Sequence, residues 1–198
     1  MPPSSSTRKG ELSLSYALPA AIESLKDGWQ RTAETGATIS SLFSLLSLVA
    51  LYLLNVAGLL DQESRDPIRT FLALASYGAL FFNLSASISG FILIDRLGSI
   101  PYRAAQQPRE LLPVSGVIDA DSEQLLRRYG VGKLWGALVL HWISCFLAGI
   151  WCIVLQAVVY VWLKETIVIR VLVTILAAFS LFPLTAFISP FWRAVTGG

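Results

Sequence analysis

Residues 134–163 read LWGALVLHWISCFLAGIWCIVLQAVVYVWL and hold no charged side chain over 30 positions. About 20 predominantly apolar residues are enough for a helix to cross the hydrocarbon core of a bilayer. Three further uncharged runs of 26, 25 and 22 residues cover 35–60, 70–94 and 171–192. The sequence therefore predicts an all-α integral membrane protein, a four-helix bundle with an additional short N-terminal amphipathic helix.

The overall composition leads to the same class of protein. Of the 198 residues, 55% are hydrophobic and 14% are charged, whereas a soluble domain carries roughly a quarter charged residues. A soluble globular enzyme and a disordered protein are excluded on this ground. The net charge of +2 is too small to indicate a nucleic-acid partner. The expected partner is the lipid bilayer, with a second copy of the chain or another membrane protein as further possibilities.

The uncharged runs divide the chain into seven predicted segments. The chain begins with a cytosolic tail and interfacial helix (1–36), followed by two transmembrane helices (37–60 and 70–94). A cytosolic loop with a short helix (95–133) leads to two more transmembrane helices (134–163 and 167–192) and a cytosolic C-terminus (193–198). The amphipathic helix over 19–34 either lies on the membrane surface or leads directly into the first span. In the loop, Asp121 or Ser122 can cap a short helix that Gly130 and Gly132 end.

Lysine and arginine are distributed unevenly among the connections. The segments before the first span, between the second and third spans and after the fourth span hold eleven of these residues, and the rest of the chain holds four. Loops rich in lysine and arginine stay in the cytoplasm. Both termini are therefore predicted to be cytoplasmic. Arg170, at the start of the fourth span, is expected to extend its charged end to the membrane interface.

Each span carries a stripe of small or polar residues when its positions are projected at 100° per residue. The candidate buried packing or pathway residues on these stripes are Ser44, Ser47, Asn55, Asn83, Ser87, His141, Gln156, Thr174 and Arg170. Small residues let helices approach closely, and hydroxyls and amides bond across the contact. Polar residues at membrane depth also line wetted pathways. We expect the stripes to face inward, with Asn55 and Gln156 in contact at one depth or each touching a neighbouring helix in an oligomer.

Catalytic and metal-binding groups are sparse. His141 is the only histidine, so one chain cannot provide two histidine ligands for zinc or haem. Cys145 and Cys152 lie seven residues apart on one helix, about 10 Å, which is too far for a disulfide. No cofactor, metal site or enzymatic activity is expected. The sequence favours an accessory or scaffold subunit that acts through helix association, with a subunit of an oligomeric channel or transporter as the alternative.

Two stretches carry a resemblance to other proteins. These are Leu126-Arg127-Arg128-Tyr129-Gly130-Val131-Gly132 leading to His141-Trp142, and Phe82-Asn83 leading to Asp95-Arg96-Leu97-Gly98. Both resemble stretches of uncharacterised four-span membrane proteins from fungi, and this resemblance implies the topology but no function. The topology is also similar to that of store-operated calcium channels, whose first span carries a pore glutamate. Here the polar stripe of the first span offers only serine and asparagine.

Overall fold

The computed structural model describes residues 18–60, 66–106 and 122–196, and it describes only the backbone of residues 122–123 and 185–196. The described residues form six helices and no strand: α1 Ala20–Val56, α2 Pro67–Gly98, α3 Ile100–Gln106, α4 Ser122–Arg128, α5 Trp135–Lys164 and α6 Ile167–Thr196. Four helical stretches are long and apolar enough to cross a membrane, namely α1, α2 with α3, α5 and α6. The predicted all-α class with four spanning helices is confirmed.

Helix α1 is longer than the first predicted span. The amphipathic segment 19–34 is not a separate helix, because α1 runs without a break from Ala20 to Val56. The structure thus has the second of the two expected arrangements, in which this segment leads into the span. The carbonyl of Pro19 accepts hydrogen bonds from the N–H groups of Ile22 and Glu23, at 2.9 and 3.0 Å, and so begins the helix.

The segment between the second and third spans also contains more helix than the sequence indicated. Helix α2 continues to Gly98, and α3 follows after Ser99. The short helix expected before Gly130 is present as α4. Asp121, the other possible cap of that helix, lies outside the described residues, as do most of the N-terminal tail and the last two residues.

Two helices end in Schellman motifs built on glycine. After α1, Gly58 has φ 66°, and the N–H of Leu59 donates to the carbonyl of Leu54 at 3.0 Å. After α4, Gly130 has φ 96°, and the N–H of Val131 donates to the carbonyl of Leu126 at 3.3 Å. These bonds satisfy terminal carbonyls, and the positive φ favours glycine. They therefore fix where the two helices stop.

Helix α2 begins with a capping residue followed by proline. The Asp66 carboxylate accepts a hydrogen bond from the N–H of Ile68 at 3.1 Å, as an N-cap side chain does. Pro67 then occupies the first helical position, where its missing N–H has no consequence. The dipeptide Asp66-Pro67 therefore sets the start of this spanning helix.

Buried positions on the long helices follow alternating steps of three and four residues. On α1 they are Ala33, Ala37, Ser40, Ser44, Ser47, Leu51 and Leu54, and on α2 they are Leu72, Ser76, Ala79, Asn83, Ala86, Gly90, Leu93 and Leu97. On α5, Trp135, Trp142, Gly149 and Gln156 are buried at intervals of seven. Such a repeat is the seam of left-handed helix packing. We call these positions the heptad seams.

The helices contribute to two compact units. The first unit contains residues 18–37, 88–106 and 122–141 among those described. Its largest fully buried side chain is Tyr129. The rings of Trp29 and Trp135 meet edge to face with centroids 5.8 Å apart. Arg103 Nη1 donates to the carbonyl of Gly130 at 2.8 Å, which ties α3 to the end of α4.

The second unit contains residues 38–60, 66–87 and 142–196. Near the end of α1 it holds an apolar cluster of the buried residues Leu54, Leu59 and Leu72, with Leu60, Val159 and Leu163 packed against them. This cluster joins α1, α2 and α5 at one end of the unit. Between it and the other end, most positions of the heptad seams carry serine, alanine, asparagine, glycine or glutamine.

Candidate functional site

The polar part of the second unit is the candidate functional site. Its buried polar residues are Ser40, Ser44 and Ser47 on α1, Ser76, Asn83 and Ser87 on α2, and Gln156 on α5. No carboxylate or basic side chain is among the buried residues of the described chain. The site therefore offers neutral hydrogen-bonding groups, which suit helix contacts, water or an uncharged ligand.

Two side-chain hydrogen bonds join helices within this site. The Ser41 and Ser87 hydroxyl oxygens lie 2.7 Å apart and link α1 to α2. The Cys145 thiol donates to the Ser85 hydroxyl at 3.6 Å and links α5 to α2. An interhelical bond in a membrane contributes roughly 0.6–2 kcal/mol. These two bonds fix the register of α2 against both neighbouring helices.

Helices α2 and α5 approach closely at Asn83 and Gly149. A Cβ built on Gly149 would lie 2.6 Å from Asn83 Nδ2 and 2.7 Å from both Asn83 Cγ and Oδ1. Only glycine fits at this seam position, because any side chain would overlap the amide. Asn83 is fully buried, and its Nδ2 donates to the carbonyl of Ala79 at 2.7 Å. The amide plane is thus held between its own helix and the backbone of α5.

Several buried polar atoms lack a hydrogen-bond partner in the described part of the chain. They are Ser40 Oγ, Ser44 Oγ, Asn83 Oδ1 and Trp142 Nε1. In contrast, Ser47 and Ser76 donate to carbonyls four residues earlier, at 2.7 and 2.8 Å.

A groove between α1 and α5 opens beside these residues. It has a volume of about 410 Å³, and its lining is mostly alanine, leucine and isoleucine. Ser47, Gln156 and Tyr160 are the polar residues that line it. Gln156 is only 8% exposed, so its amide lies inside the protein at the wall of the groove.

Helices α5 and α6 form a tight antiparallel hairpin, since only Glu165 and Thr166 separate them. Trp162 Nε1 donates to the Thr174 hydroxyl at 3.0 Å. Arg170 Nε donates to the carbonyl of Glu165 at 2.8 Å, and its guanidinium lies 5.9 Å from the centre of the Trp162 ring. Arg170 therefore closes the hairpin turn.

The structure separates the residues that the sequence placed on common stripes. Ser44, Ser47, Asn83, Ser87 and Gln156 are buried, whereas Asn55, His141 and Thr174 are exposed. The predicted inward position of these last three residues is wrong for the single chain. No hydrogen bond of the described chain joins Asn55 to Gln156; their association within an oligomer stays a prediction.

The seams explain the misplaced residues. A projection at 100° per residue assumes 3.6 residues per turn, but the buried seams repeat every 3.5 residues. Ser40, Ser47 and Leu54 lie at intervals of seven on the seam, so Asn55 lies beside the seam and not on it. On α5 the same difference between 3.6 and 3.5 residues per turn applies. There Trp142 is on the buried side and His141 is exposed.

Gly149 was missed by the sequence reasoning, although it is the residue that Asn83 contacts. The signal that could have found it is the interval of seven from Trp142 to Gly149 to Gln156. Neither Cys145 nor Cys152 forms a disulfide. The described residues contain no group of three or more histidine, cysteine, aspartate or glutamate side chains that could hold a metal ion.

Comparison of the chain with protein-family models, curated proteins and solved structures found no match. The resemblance to four-span fungal membrane proteins thus rests on the two local stretches alone. The exposure and the polarity of the helices are therefore the features that bear on the function of this chain.

Proposed function

We propose that this multi-pass membrane protein acts without catalysis, by associating with other membrane helices as an accessory or scaffold subunit. The observation that carries the proposal is the exposure of α6. In the 18-residue stretch Ile167–Leu184, only 6% of the residues are buried, against 33% and 39% for the spanning stretches of α1 and α2. Leu181 is the one buried residue of this stretch. Helix α6 therefore has most of its surface available to lipid or to a partner helix.

One face of α6 has the features of a helix-docking surface. Thr174 and Ala178 are exposed and lie four residues apart, which is the small-xxx-small spacing that lets two helices approach closely. The Thr174 hydroxyl donates to the carbonyl of Arg170 at 2.8 Å, so no donor is left unpaired on this face. We call the surface of Thr174 and Ala178 the α6 small-residue face.

Cysteine cross-linking in native membranes tests this proposal. In a background with Cys145→Ser and Cys152→Ser, Ala178→Cys should form disulfide-linked complexes under mild oxidation. Leu176→Cys is the matched control, because Leu176 is also exposed and lies two residues away, on the opposite side of the helix. Equal cross-linking at both positions, or none at Ala178→Cys, would contradict the assignment of this face.

The proposed orientation has both termini in the cytoplasm. It is supported by the eleven-to-four distribution of lysine and arginine and by the positive-inside rule. A glycosylation acceptor inserted into an extended 61–69 connection should be modified in a glycosylating membrane system, and one inserted near residue 105 should not. The reverse pattern would show the opposite orientation.

A second candidate function, a subunit of an oligomeric channel or transporter, has one observation in its favour. Ser40, Ser44 and Asn83 carry buried oxygen atoms without a partner in the described part of the chain, and such atoms can line a wetted path. Purified protein in liposomes distinguishes the two candidates. Saturable ion or solute flux would favour transport, and the scaffold proposal predicts no flux above that of empty liposomes.

A further inference from the structure

The groove between α1 and α5 is long and mostly apolar. Along α1 its lining runs from Leu46 to Ala57, eleven steps of 1.5 Å or about 16 Å. Its volume is about 410 Å³, and most of its lining residues are alanine, leucine or isoleucine. An elongated apolar groove at membrane depth suits an extended hydrocarbon chain.

The wall of the groove carries one unpaired amide. Gln156 is 8% exposed and lines the groove, and nothing in the described part of the chain forms a hydrogen bond with its side chain. An unpaired amide at membrane depth costs several kcal/mol. Ser47 also lines the groove, but its hydroxyl already donates to the carbonyl of Phe43 at 2.7 Å. The groove therefore presents one amide donor that needs an acceptor.

The depth of Gln156 suits the ester region of a lipid. Gln156 precedes Trp162 by six residues on α5, about 9 Å along the helix axis. Tryptophan side chains favour the membrane–water interface, and Trp162 is 46% exposed. The amide thus lies just inside the interface, beneath the headgroups. No charged side chain lines the groove, so the group that meets Gln156 is neutral.

We propose that this groove binds one acyl chain of a glycerolipid, and that the Gln156 amide donates a hydrogen bond to the ester carbonyl of that chain. The alkyl part lies along Ala50, Leu53 and Ile153. The headgroup points past Tyr160 toward the α5–α6 connection. A sterol and a partner helix are the other occupants that the test distinguishes. This lipid site is independent of the α6 small-residue face, because none of the groove residues belongs to α6.

The test uses the full chain, stripped of lipid in a mild detergent and then given phosphatidylcholine with a photoactivatable acyl chain. Native mass spectrometry should show one phosphatidylcholine retained per chain. After illumination, cross-links should concentrate in 46–57 and 153–160, above the yield at the exposed α6 residue Phe179. The proposal would be overturned if no phosphatidylcholine were retained, if cross-linking were equal throughout the spans, or if an equimolar sterol displaced the phosphatidylcholine.

Two variants localise the binding. Ala50→Phe with Ala157→Phe fills the groove and should lower the retained lipid at least tenfold. Ala137→Phe, the same substitution at an exposed position of α5 outside the groove, should leave retention unchanged. Gln156→Leu keeps the volume and removes the donor; a hydrogen bond of about 1 kcal/mol corresponds to a roughly fivefold loss of affinity. Unchanged retention in Gln156→Leu would refute the role of the amide even if the filled variant failed to fold.

Discussion

Replacing Gly149 with alanine should strongly destabilise the protein. The new methyl group would lie 2.6–2.7 Å from three atoms of the Asn83 amide, well inside van der Waals contact. Overpacking of this kind costs roughly 1–3 kcal/mol. If the amide moves aside, its 2.7 Å bond to the Ala79 carbonyl breaks, which leaves a buried donor unpaired at a cost of about 1–3 kcal/mol. Together the two costs are about 2–6 kcal/mol. Alanine favours a helix over glycine by up to about 1 kcal/mol, so the expected net loss is about 1–5 kcal/mol.

The loss of stability in Gly149→Ala should depend on Asn83. A double-mutant cycle measures this dependence. Asn83→Ala removes the amide that the methyl group would meet. The double variant Asn83→Ala with Gly149→Ala should therefore be more stable than the sum of the single effects predicts, with a coupling energy of at least about 1.5 kcal/mol. The free energy of unfolding is obtained by titrating SDS into mixed micelles and following circular dichroism.

Two glycines provide matched controls for this cycle. A Cβ on Gly28 would have nothing within 4 Å, so Gly28→Ala should leave stability unchanged or raise it by up to about 1 kcal/mol. At Gly78 the nearest atom is Cys152 Sγ at 3.0 Å, a side-chain end that can rotate away, so the loss should be smaller than at Gly149. If Gly149→Ala were as stable as the unmodified protein, or additive with Asn83→Ala, the Asn83–Gly149 contact would be refuted.

Three further predictions concern the ends and edges of helices and use the same unfolding measurement. Gly58→Ala should lose about 1–2 kcal/mol, because alanine must adopt the left-handed backbone conformation at φ 66°; an unchanged stability would contradict the Schellman motif. Asp66→Ala should lose about 0.5–2 kcal/mol and Asp66→Asn should lose less, since asparagine also caps helices; equal losses would argue against a capping role. Trp29→Ala and Trp135→Ala should be coupled by about 0.5–1.5 kcal/mol through their edge-to-face contact, and additive effects would show that the rings do not interact.

The spanning helices could be predicted from the sequence because their signal is local. An uncharged apolar run as long as 134–163 is typical of a membrane span and not of a soluble domain. Helix α5 at Trp135–Lys164 coincides with it. The end of α4 was also readable, since Gly130 supplies a positive φ. The continuity of α1 was less readable. Its polar segment 19–34 has the composition of a surface helix, and only the absence of a proline between Ala20 and the span indicates that it continues.

The inward-facing residues could be predicted only in part, because small rotational errors accumulate along a helix. Ser44 and Ser47 are adjacent on the α1 seam, and both are buried. Asn55, eight residues beyond Ser47, departs from the seam by enough to become exposed. The partner of a buried polar group is harder still to predict. Gly149 has no side chain that would mark it as a partner in the sequence. The absence of a side chain is nevertheless what lets Asn83 fit there.

Residue size explains why α6 differs from the other spanning helices. The seams of α1 and α2 place serine, alanine and glycine at successive buried positions, which lets backbones approach and hydroxyls bond across the contact. Helix α6 instead exposes large apolar residues such as Ile169, Val171 and Leu172 on several sides. Lipid tails are as apolar as these side chains, so packing them inside the same chain gains little. At its hairpin end α6 is held by the Trp162–Thr174 bond at 3.0 Å. Because most of its described side chains are exposed, a partner helix could replace lipid on α6 without disrupting the seams of the other helices.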